Sequence, residues 1–360
     1  MDTKAKILRI LTRTAISGAG LARRLGISRQ AVHTYLKELV LLGQVAKIGT
    51  TRAAVYELAS HLSRKPVTIF FSKKLTLSKL DEDEVFRAVA RQTQLDKKLP
   101  TNVWEVVQYG FTEMLNNAIE HSWSRNCSIQ IRLDPYVCTF TIRDFGIGLF
   151  HSVASKFDLP DESAAVGELL KGKTTTMAER HTGEGIFFTS KAADLVSFRS
   201  HRIELIFDGR NQDAFVKQNR FLRGTEVDFE ISRRSRRKLQ AVFEEFAPAD
   251  LDYRFDKTRV LVKLFHQEYV SRSEARRLLA GLEKFKLVEL DFRDVKSLGQ
   301  GFADEIFRVY RNAHPGVEFR AVNLSTALQP MIRHVLDNYE ISQVDNLLTI
   351  NAGKLGSKTK

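Results

Sequence analysis

The chain has 360 residues, 43% hydrophobic and 28% charged, proportions typical of a globular protein with two or three domains. No apolar run approaches the ~18 residues that span a bilayer, and the charged N-terminus lacks the apolar segment of a secretory signal. Two cysteines are too few for a disulfide framework or a metal knuckle. These features exclude the membrane and disulfide-rich secreted classes, and we expect a cytoplasmic protein with no membrane partner.

The formal net charge of +13 is concentrated near the N-terminus. Residues 1–65 contain twelve Lys and Arg residues but only three acidic residues. Such a local excess of positive charge is typical of a nucleic-acid surface. For a second basic run, RRSRRK at 233–238, a solvated loop is favoured over a second nucleic-acid contact.

The first 62 residues show the pattern of three short helices followed by a hairpin. AKILRILTRT and GLARRLG carry apolar residues on one helical face. So does RQAVHTYLKELVLLG, for which Ser28 fits the N-cap. QVAKIG and AAVYEL read as two strands. This order resembles a winged helix-turn-helix domain, which we place at residues 1–62.

In a helix-turn-helix, the residues that open the second helix of the motif enter the major groove. Ser28, Arg29, Gln30 and His33 occupy that position, and all can hydrogen-bond base edges or phosphates. Arg52, at the hairpin tip, is expected to reach the minor groove or a phosphate. The resemblance therefore implies DNA as the partner of residues 1–62. The alternative is a winged helix that docks protein.

The central region contains a long amphipathic helix, TNVWEVVQYGFTEMLNNAIEHS. Its apolar residues recur at helical spacing, while Glu113, Asn117 and His121 are four residues apart and form one polar stripe. Such a stripe is either a solvated surface or the edge of a binding site. Two strand-like segments follow, SIQIRL and VCTFTIRD, and the second leads directly into a further polar motif.

Four short motifs occur in order along the chain: Glu113-x-x-x-Asn117, Asp144-x-Gly146-x-Gly148, Gly183-x-Gly185 and Gly224-Thr225. Each is weak alone, but together they resemble the Bergerat ATP-binding fold of gyrase-type ATPases and histidine kinases (the GHKL family). We place this domain at residues 63–235. The resemblance implies an α/β sandwich, in which helices cover one face of a mixed sheet, with ATP and Mg²⁺ as cofactors.

The resemblance also implies a role for each motif residue. Asn117 would give an oxygen ligand to Mg²⁺, Glu113 would orient or deprotonate the attacking nucleophile, and Asp144 would accept a hydrogen bond from the adenine amino group. The remaining residues would hold the base and the phosphates: Gly146, Gly148, Gly183, Gly185 and Thr225. Glycines let the backbone approach the nucleotide closely, and a helix N-terminus favours phosphate. His121 is expected to pack or hydrogen-bond.

Two further features concern the fate of the phosphate. The string EMLNNAIEH is similar to that of anti-sigma serine kinases, whereas His61 lacks the sequence context of a histidine-kinase phosphoacceptor. The stretch between the motifs resembles a mobile ATP lid. It contains four candidate phosphate partners, for each of which a solvated charge is favoured over a phosphate contact: Lys171, Lys173, Arg180 and His181.

The C-terminal third alternates strands and helices and resembles a STAS-like domain, most clearly in VELDFRDVKSLGQGFADEIF. We place this α/β layer at 250–350 and expect the basic tail, 351–360, to be disordered. In that family, a loop before a helix presents a phosphorylatable serine. Here the loop at 296–301 contains one hydroxyl, Ser297, so a docking domain is favoured over a phosphorylated one.

The sequence thus predicts an α+β multidomain protein that couples a nucleotide state to DNA binding and to STAS-like domain interactions. One alternative is a serine/threonine kinase of the anti-sigma type. The other is a DNA-binding protein whose nucleotide fold only dimerises. The candidate protein partners are a protein of sigma-factor or STAS type and a second copy of the chain.

Overall fold

The computed structural model describes residues 3–48, 54–62, 69–172, 184–251, 254–264, 269–336 and 348–349. Several residues and segments that the sequence analysis singled out lie outside these ranges: Arg52, Lys173, Arg180, His181, Gly183 and the tail 351–360. None of the described helices is long and apolar enough to cross a membrane.

The N-terminal region forms helices α1 (Thr3–Leu11), α2 (Gly18–Leu25), α3 (Arg29–Leu41) and α4 (Ala59–Leu62) around a small antiparallel sheet. Its strands are β1 (Ile16–Ser17), β2 (Val45–Ile48) and β3 (Val55–Leu58), in the order β1-β3-β2. Ser28 caps α3 as predicted, because its hydroxyl accepts a hydrogen bond from the Ala31 amide at 3.1 Å. The three helices and the hairpin are confirmed; β1 was not predicted.

The central region contains an antiparallel five-stranded sheet in the order β4-β5-β6-β8-β7. The strands are β4 (Ile69–Thr76), β5 (Asn126–Leu133), β6 (Val137–Asp144), β7 (Leu195–Asp208) and β8 (Asp213–Ser232). The predicted mixed sheet is corrected here, because all described neighbours pair antiparallel. Two of these pairs, β5–β6 and β7–β8, are hairpins of consecutive strands, which can only pair antiparallel.

Within the described residues, the following helices accompany this sheet: α5 (Glu82–Thr93), α6 (Leu95–Lys98), α7 (Thr101–His121), α8 (Leu149–Lys156), α9 (Glu162–Lys171), α10 (Gly185–Ala192) and α11 (Leu239–Phe246). Side-chain burial alternates along β6, since one face packs beneath α7 and the other is more open. This arrangement places the polar stripe of α7 next to the end of β6.

The C-terminal region is a parallel sheet in the order β12-β11-β10-β9, formed by β9 (Lys257–Leu261), β10 (Leu287–Asp291), β11 (Glu318–Val322) and β12 (Leu348–Thr349). Its helices are α12 (Arg272–Leu279), α13 (Gln300–Asp304), a π-helical segment (Glu305–Tyr310) that continues into α14 (Arg311–Ala313), and α15 (Gln329–Leu336). Short 3₁₀ segments occur at Ala249–Leu251, Val262–Leu264 and Leu282–Lys284. The predicted α/β layer is confirmed.

The central and C-terminal regions share one continuous hydrophobic core, whereas the N-terminal region has its own. Phe187 and Phe188 of α10 pack against Phe255, which precedes β9, with ring centroids 4.4 and 5.1 Å away. Helix α10 therefore contacts both the central sheet and the C-terminal region.

Candidate nucleotide-binding site

A cavity of about 400 Å³ lies between α7, the end of β6, the interior of β8, α8 and the first turn of α10. Its lining includes most of the residues that the sequence motifs indicated: Glu113, Asn117, His121, Asp144, Gly148, Gly185 and Thr225. These residues lie up to 112 positions apart in the chain, and the fold brings them to one site. Gly146 is not part of this lining but lies beside the cavity, where its amide donates a hydrogen bond to Asp144.

Asp144 ends β6 and is only 5% exposed. Its Oδ1 accepts hydrogen bonds from the Gly146 amide at 2.9 Å and the Thr225 amide at 3.2 Å. Thr225 Oγ1 in turn accepts from the Leu149 amide at 2.9 Å. Burial raises the pKa of Asp144, while the hydrogen bonds from Gly146 and Thr225 oppose that increase. The result is a fixed acceptor group at one end of the cavity.

The glycines after Asp144 are required by close packing around the site. A Cβ atom at Gly146 would lie 1.7 Å from the carbonyl oxygen of Ser122, just after the end of α7. Gly148 has a φ of +87°, and a Cβ there would lie 2.4 Å from Ser200 Oγ. These contacts are with the protein itself: Gly146 lets the loop after β6 pack against the end of α7, and Gly148 lets the backbone line the cavity beside Ser200.

The polar stripe of α7 forms a further part of the cavity lining. A Cβ atom at Gly185 would lie 2.0 Å from Glu113 Oε2, so this glycine leaves space for the carboxylate at the N-terminus of α10. The positive end of a helix dipole favours a negative charge in that position. Asn117, one turn further along α7, also lines the cavity.

Tyr109, Asn116 and Glu184 line the same cavity but were not predicted. Burial raises the pKa of Tyr109, and the negative charges of Glu113 and Glu184 raise it further. A sequence signal for Tyr109 was present, since it lies four residues before Glu113 on the same stripe. Glu184 lies between the two glycines of the third motif, where no helical periodicity in the sequence indicates a lining residue.

Lys171 does not have the position expected of a phosphate partner, and that hypothesis is wrong. The side chain is 1% exposed and is absent from the cavity lining. Its Nζ donates to Glu168 Oε1 at 2.9 Å and to the carbonyl oxygens of Ala280 at 2.6 Å and Arg277 at 3.3 Å. Lys171 thus binds the C-terminal end of α12, where the helix dipole favours a cation.

The side chains proposed to read DNA lie at the start of α3. Ser28, Arg29, Gln30 and His33 are all exposed, while Val32 and Leu36 on the same helix are buried in the N-terminal core. This division leaves one face of α3 available to a ligand. Ser297, in the C-terminal region, is exposed in the loop between β10 and α13.

Three segments of the chain match known family models. Residues 3–60 match an HTH domain, residues 78–206 match the histidine kinase-like ATPase domain, and residues 274–328 match a STAS-like domain of unknown function (DUF4325). A comparison with curated proteins gave no significant match. The chain therefore combines an HTH domain, a histidine kinase-like ATPase domain and a STAS-like domain, in the order that its motifs indicate.

Proposed function

We propose that this protein is an ATP-binding regulator in which the state of the nucleotide pocket controls DNA binding by the HTH domain and contacts of the STAS-like domain. DNA binding by residues 1–62 is part of the proposal. The boundaries at 62, 235 and 250 are also part of the proposal, and they are supported by the matched segments 3–60, 78–206 and 274–328, each of which lies within one of these domains.

The observation that supports this proposal is that the turn between β7 and β8, which belongs to the ATPase domain, contacts both of the other domains. Arg210 Nη1 donates to the Lys47 carbonyl of β2 at 3.4 Å, on the HTH side. Arg293 Nη1 donates to the Asn211 carbonyl at 3.1 Å, and Lys263 Nζ lies 2.8 Å from Asp213 Oδ2, both from the C-terminal region. A displacement of this one turn would reach both neighbouring domains.

The strands that carry this turn also form a wall of the nucleotide pocket. Phe198 of β7, and Thr225 and Val227 of β8, line the cavity. The two strands are hydrogen-bonded from the pocket to the turn, with register shifts only around His201. A ligand that moves the pocket end of β7 and β8 would therefore shift the turn, which is the physical basis of the proposed coupling.

The residues of the cavity fit ATP and Mg²⁺. Asp144 is a buried acceptor suited to the adenine amino group, and the cavity volume suits part of a nucleotide. Among the described residues, no group of three or more His, Cys, Asp or Glu side chains could hold a metal ion. Mg²⁺ would therefore depend on the Asn117 amide oxygen together with nucleotide oxygens. When bound, the metal neutralises charge on the phosphates.

Glu113 is the candidate group for moving a proton. Its carboxylate lies at the N-terminus of α10, next to Gly185 and one helical turn from Asn117. From there it would orient or deprotonate water, or a serine hydroxyl if the protein is a kinase of the anti-sigma type. Transfer of labelled phosphate from ATP to a protein, lost in Glu113→Ala, would favour the kinase; release of inorganic phosphate alone would favour an ATPase.

The proposal is tested by measuring DNA affinity of the full chain with and without ATP–Mg²⁺. We expect at least about a fivefold change, the lower end of ordinary coupling between sites. Arg210→Ala should reduce the change because it removes the contact with β2, whereas Arg91→Ala on α5, an exposed arginine elsewhere in the ATPase domain, should not. Equal DNA affinity in both states, with ATP bound, would refute the coupling.

A further inference from the structure

The distal half of the β7–β8 hairpin, residues 201–223, has an open edge. We call this segment the β7–β8 arm. In the described sheet, β6 pairs with β8 only from Glu226 to Ser232. Residues 213–218 and Leu222 of β8 pair with β7, the residues between them form an irregularity, and Asp213 also binds Lys263 of the C-terminal region. The side chains along this part of β8 include the well-exposed Lys217, Gln218 and Arg220. An unpaired edge with exposed side chains is available to a ligand.

The exposed charges of the arm all have the same sign. Its exposed charged side chains are Arg202, Lys217, Arg220 and Arg223. The acidic residues of the arm are only partly exposed and already have partners. Glu204 accepts from Asn219 at 3.0 Å, Asp208 accepts within the turn, and Asp213 binds Lys263. The surface that the arm presents to a ligand is therefore cationic.

The tip of the arm lies next to the HTH domain. Arg210 contacts the Lys47 carbonyl of β2, the first strand of the wing hairpin. At ~3.3 Å per residue, the basic residues of β8 span about 20 Å from Lys217 to Arg223, which is the length of about 6 base pairs of duplex. The uncharged residues 214–216 separate them from the tip, where Asp213 binds Lys263. A basic segment of this length, on an arm whose tip contacts the HTH domain, is of the right size to follow DNA that flanks a site held by α3.

We propose that the β7–β8 arm is a second DNA-contacting surface, on which Lys217, Arg220 and Arg223 bind backbone phosphates next to the site occupied by the HTH domain. The inference rests on the DNA binding of the proposed function and extends it to a surface that belongs to the ATPase domain. Because the contacts are with phosphates, they add affinity and salt dependence but no sequence preference.

The exposed apolar residues of the arm allow a different ligand. Phe215 and Val216 are each 44% exposed and would suit an acidic protein strand added along the open edge. The positive charge suits either ligand, and the neighbouring HTH domain, which contacts the tip of the arm, favours DNA. A protein ligand would leave DNA affinity independent of the arm, so the same experiment separates the two.

The test uses the full chain and a duplex of about 30 base pairs, three helical turns. In the variant Lys217→Gln, Arg220→Gln, Arg223→Gln we expect DNA binding at least tenfold weaker. The dependence of log affinity on log salt should be shallower by about 2–3, or about 0.9 per phosphate contact. The matched control is Lys73→Gln, Lys74→Gln, Lys79→Gln, three exposed lysines on or just after β4 at the opposite edge of the sheet. This control should bind DNA as the wild type does.

A duplex of about 10 base pairs, one helical turn, should show little difference between the arm variant and the wild type, because it ends before the arm. Unchanged affinity and salt slope of the arm variant on the long duplex would overturn the inference, and Arg29→Ala would then show whether the HTH domain still binds. Absence of DNA binding by the wild type would instead refute the proposed function. Nucleotide affinity is measured for each variant to show that it is folded. If the triple variant does not fold, Lys217→Gln alone replaces it in the test, with an expected change of about 0.9 in the salt slope.

Discussion

Replacing the buried Lys171 by methionine tests how the ATPase and STAS-like domains are joined. Methionine keeps the length of the apolar stem but removes the ammonium group. Three acceptors then lose their donor: Glu168 Oε1, the Ala280 carbonyl and the Arg277 carbonyl. Glu168 retains Lys284, whose Nζ lies 3.8 Å away, so one of the three is partly compensated.

The expected loss of stability is about 3 kcal/mol. A buried acceptor without its donor costs about 1–3 kcal/mol, and breaking a buried ion pair costs about 3–5 kcal/mol. The lower end of the range for a buried ion pair applies, because Lys284 remains near Glu168 in the variant. With a urea m-value of about 3 kcal/mol/M, the unfolding midpoint of the coupled domains should fall by about 1 M.

The assay compares urea unfolding and ATP affinity of the wild type and Lys171→Met. The matched control is Lys156→Met, since Lys156 also ends a helix, α8, but is exposed. We expect Lys171→Met to lose stability while the folded protein keeps its ATP affinity, because Lys171 does not line the cavity. A variant with the stability of the wild type but without ATP affinity would refute this reasoning and return Lys171 to the phosphates.

Four further predictions concern the nucleotide site and the DNA-binding helix. Asp144→Asn should lower ATP affinity at least tenfold without loss of stability, measured by calorimetric titration and urea unfolding. Burial holds the folded pKa of Asp144 above its unfolded value, so ionisation opposes folding, and the stability contributed by this group is lost as pH rises through the folded pKa. Wild-type ATP affinity should conversely fall as pH is lowered to that raised pKa, because the carboxylate becomes protonated; an unchanged affinity down to the pH of an ordinary aspartate would contradict this. Gly146→Ala should destabilise the ATPase domain by more than about 2 kcal/mol in urea, because its Cβ would meet backbone 1.7 Å away, whereas Gly316→Ala, with open space around it, should not. Arg29→Ala should weaken DNA binding by about 1–3 kcal/mol in a fluorescence anisotropy titration, and equal affinity would argue that α3 does not contact DNA.

The order of domains and most of the cavity lining could be predicted from the sequence because their signals are local. The stripe of Glu113 and Asn117 is a helical periodicity, and Asp144 stands at the end of an alternating strand. Such patterns depend on neighbours within a few residues, so they are visible without a structure. The resemblance to a known order of motifs supplied the rest.

Features that depend on distant segments were missed. Lys171 reads as a lid cation by position, but its carbonyl partners come from residues more than 100 positions later, at the end of α12. The antiparallel pairing of β6 with β8 joins segments about 90 residues apart along the chain. The turn at 209–212 has no motif of its own, and its contacts with two other domains arise only from tertiary packing.

The central claim, that nucleotide and DNA are coupled through the β7–β8 turn, is tested most directly by measuring ATP affinity with and without saturating DNA. Coupling between two binding sites is reciprocal, so DNA must change ATP affinity by the same factor by which ATP changes DNA affinity. We expect equal factors in the wild type, and a factor that is reduced equally in both directions in Arg210→Ala. Wild-type ATP affinity that is identical in the presence and absence of bound DNA would contradict the account.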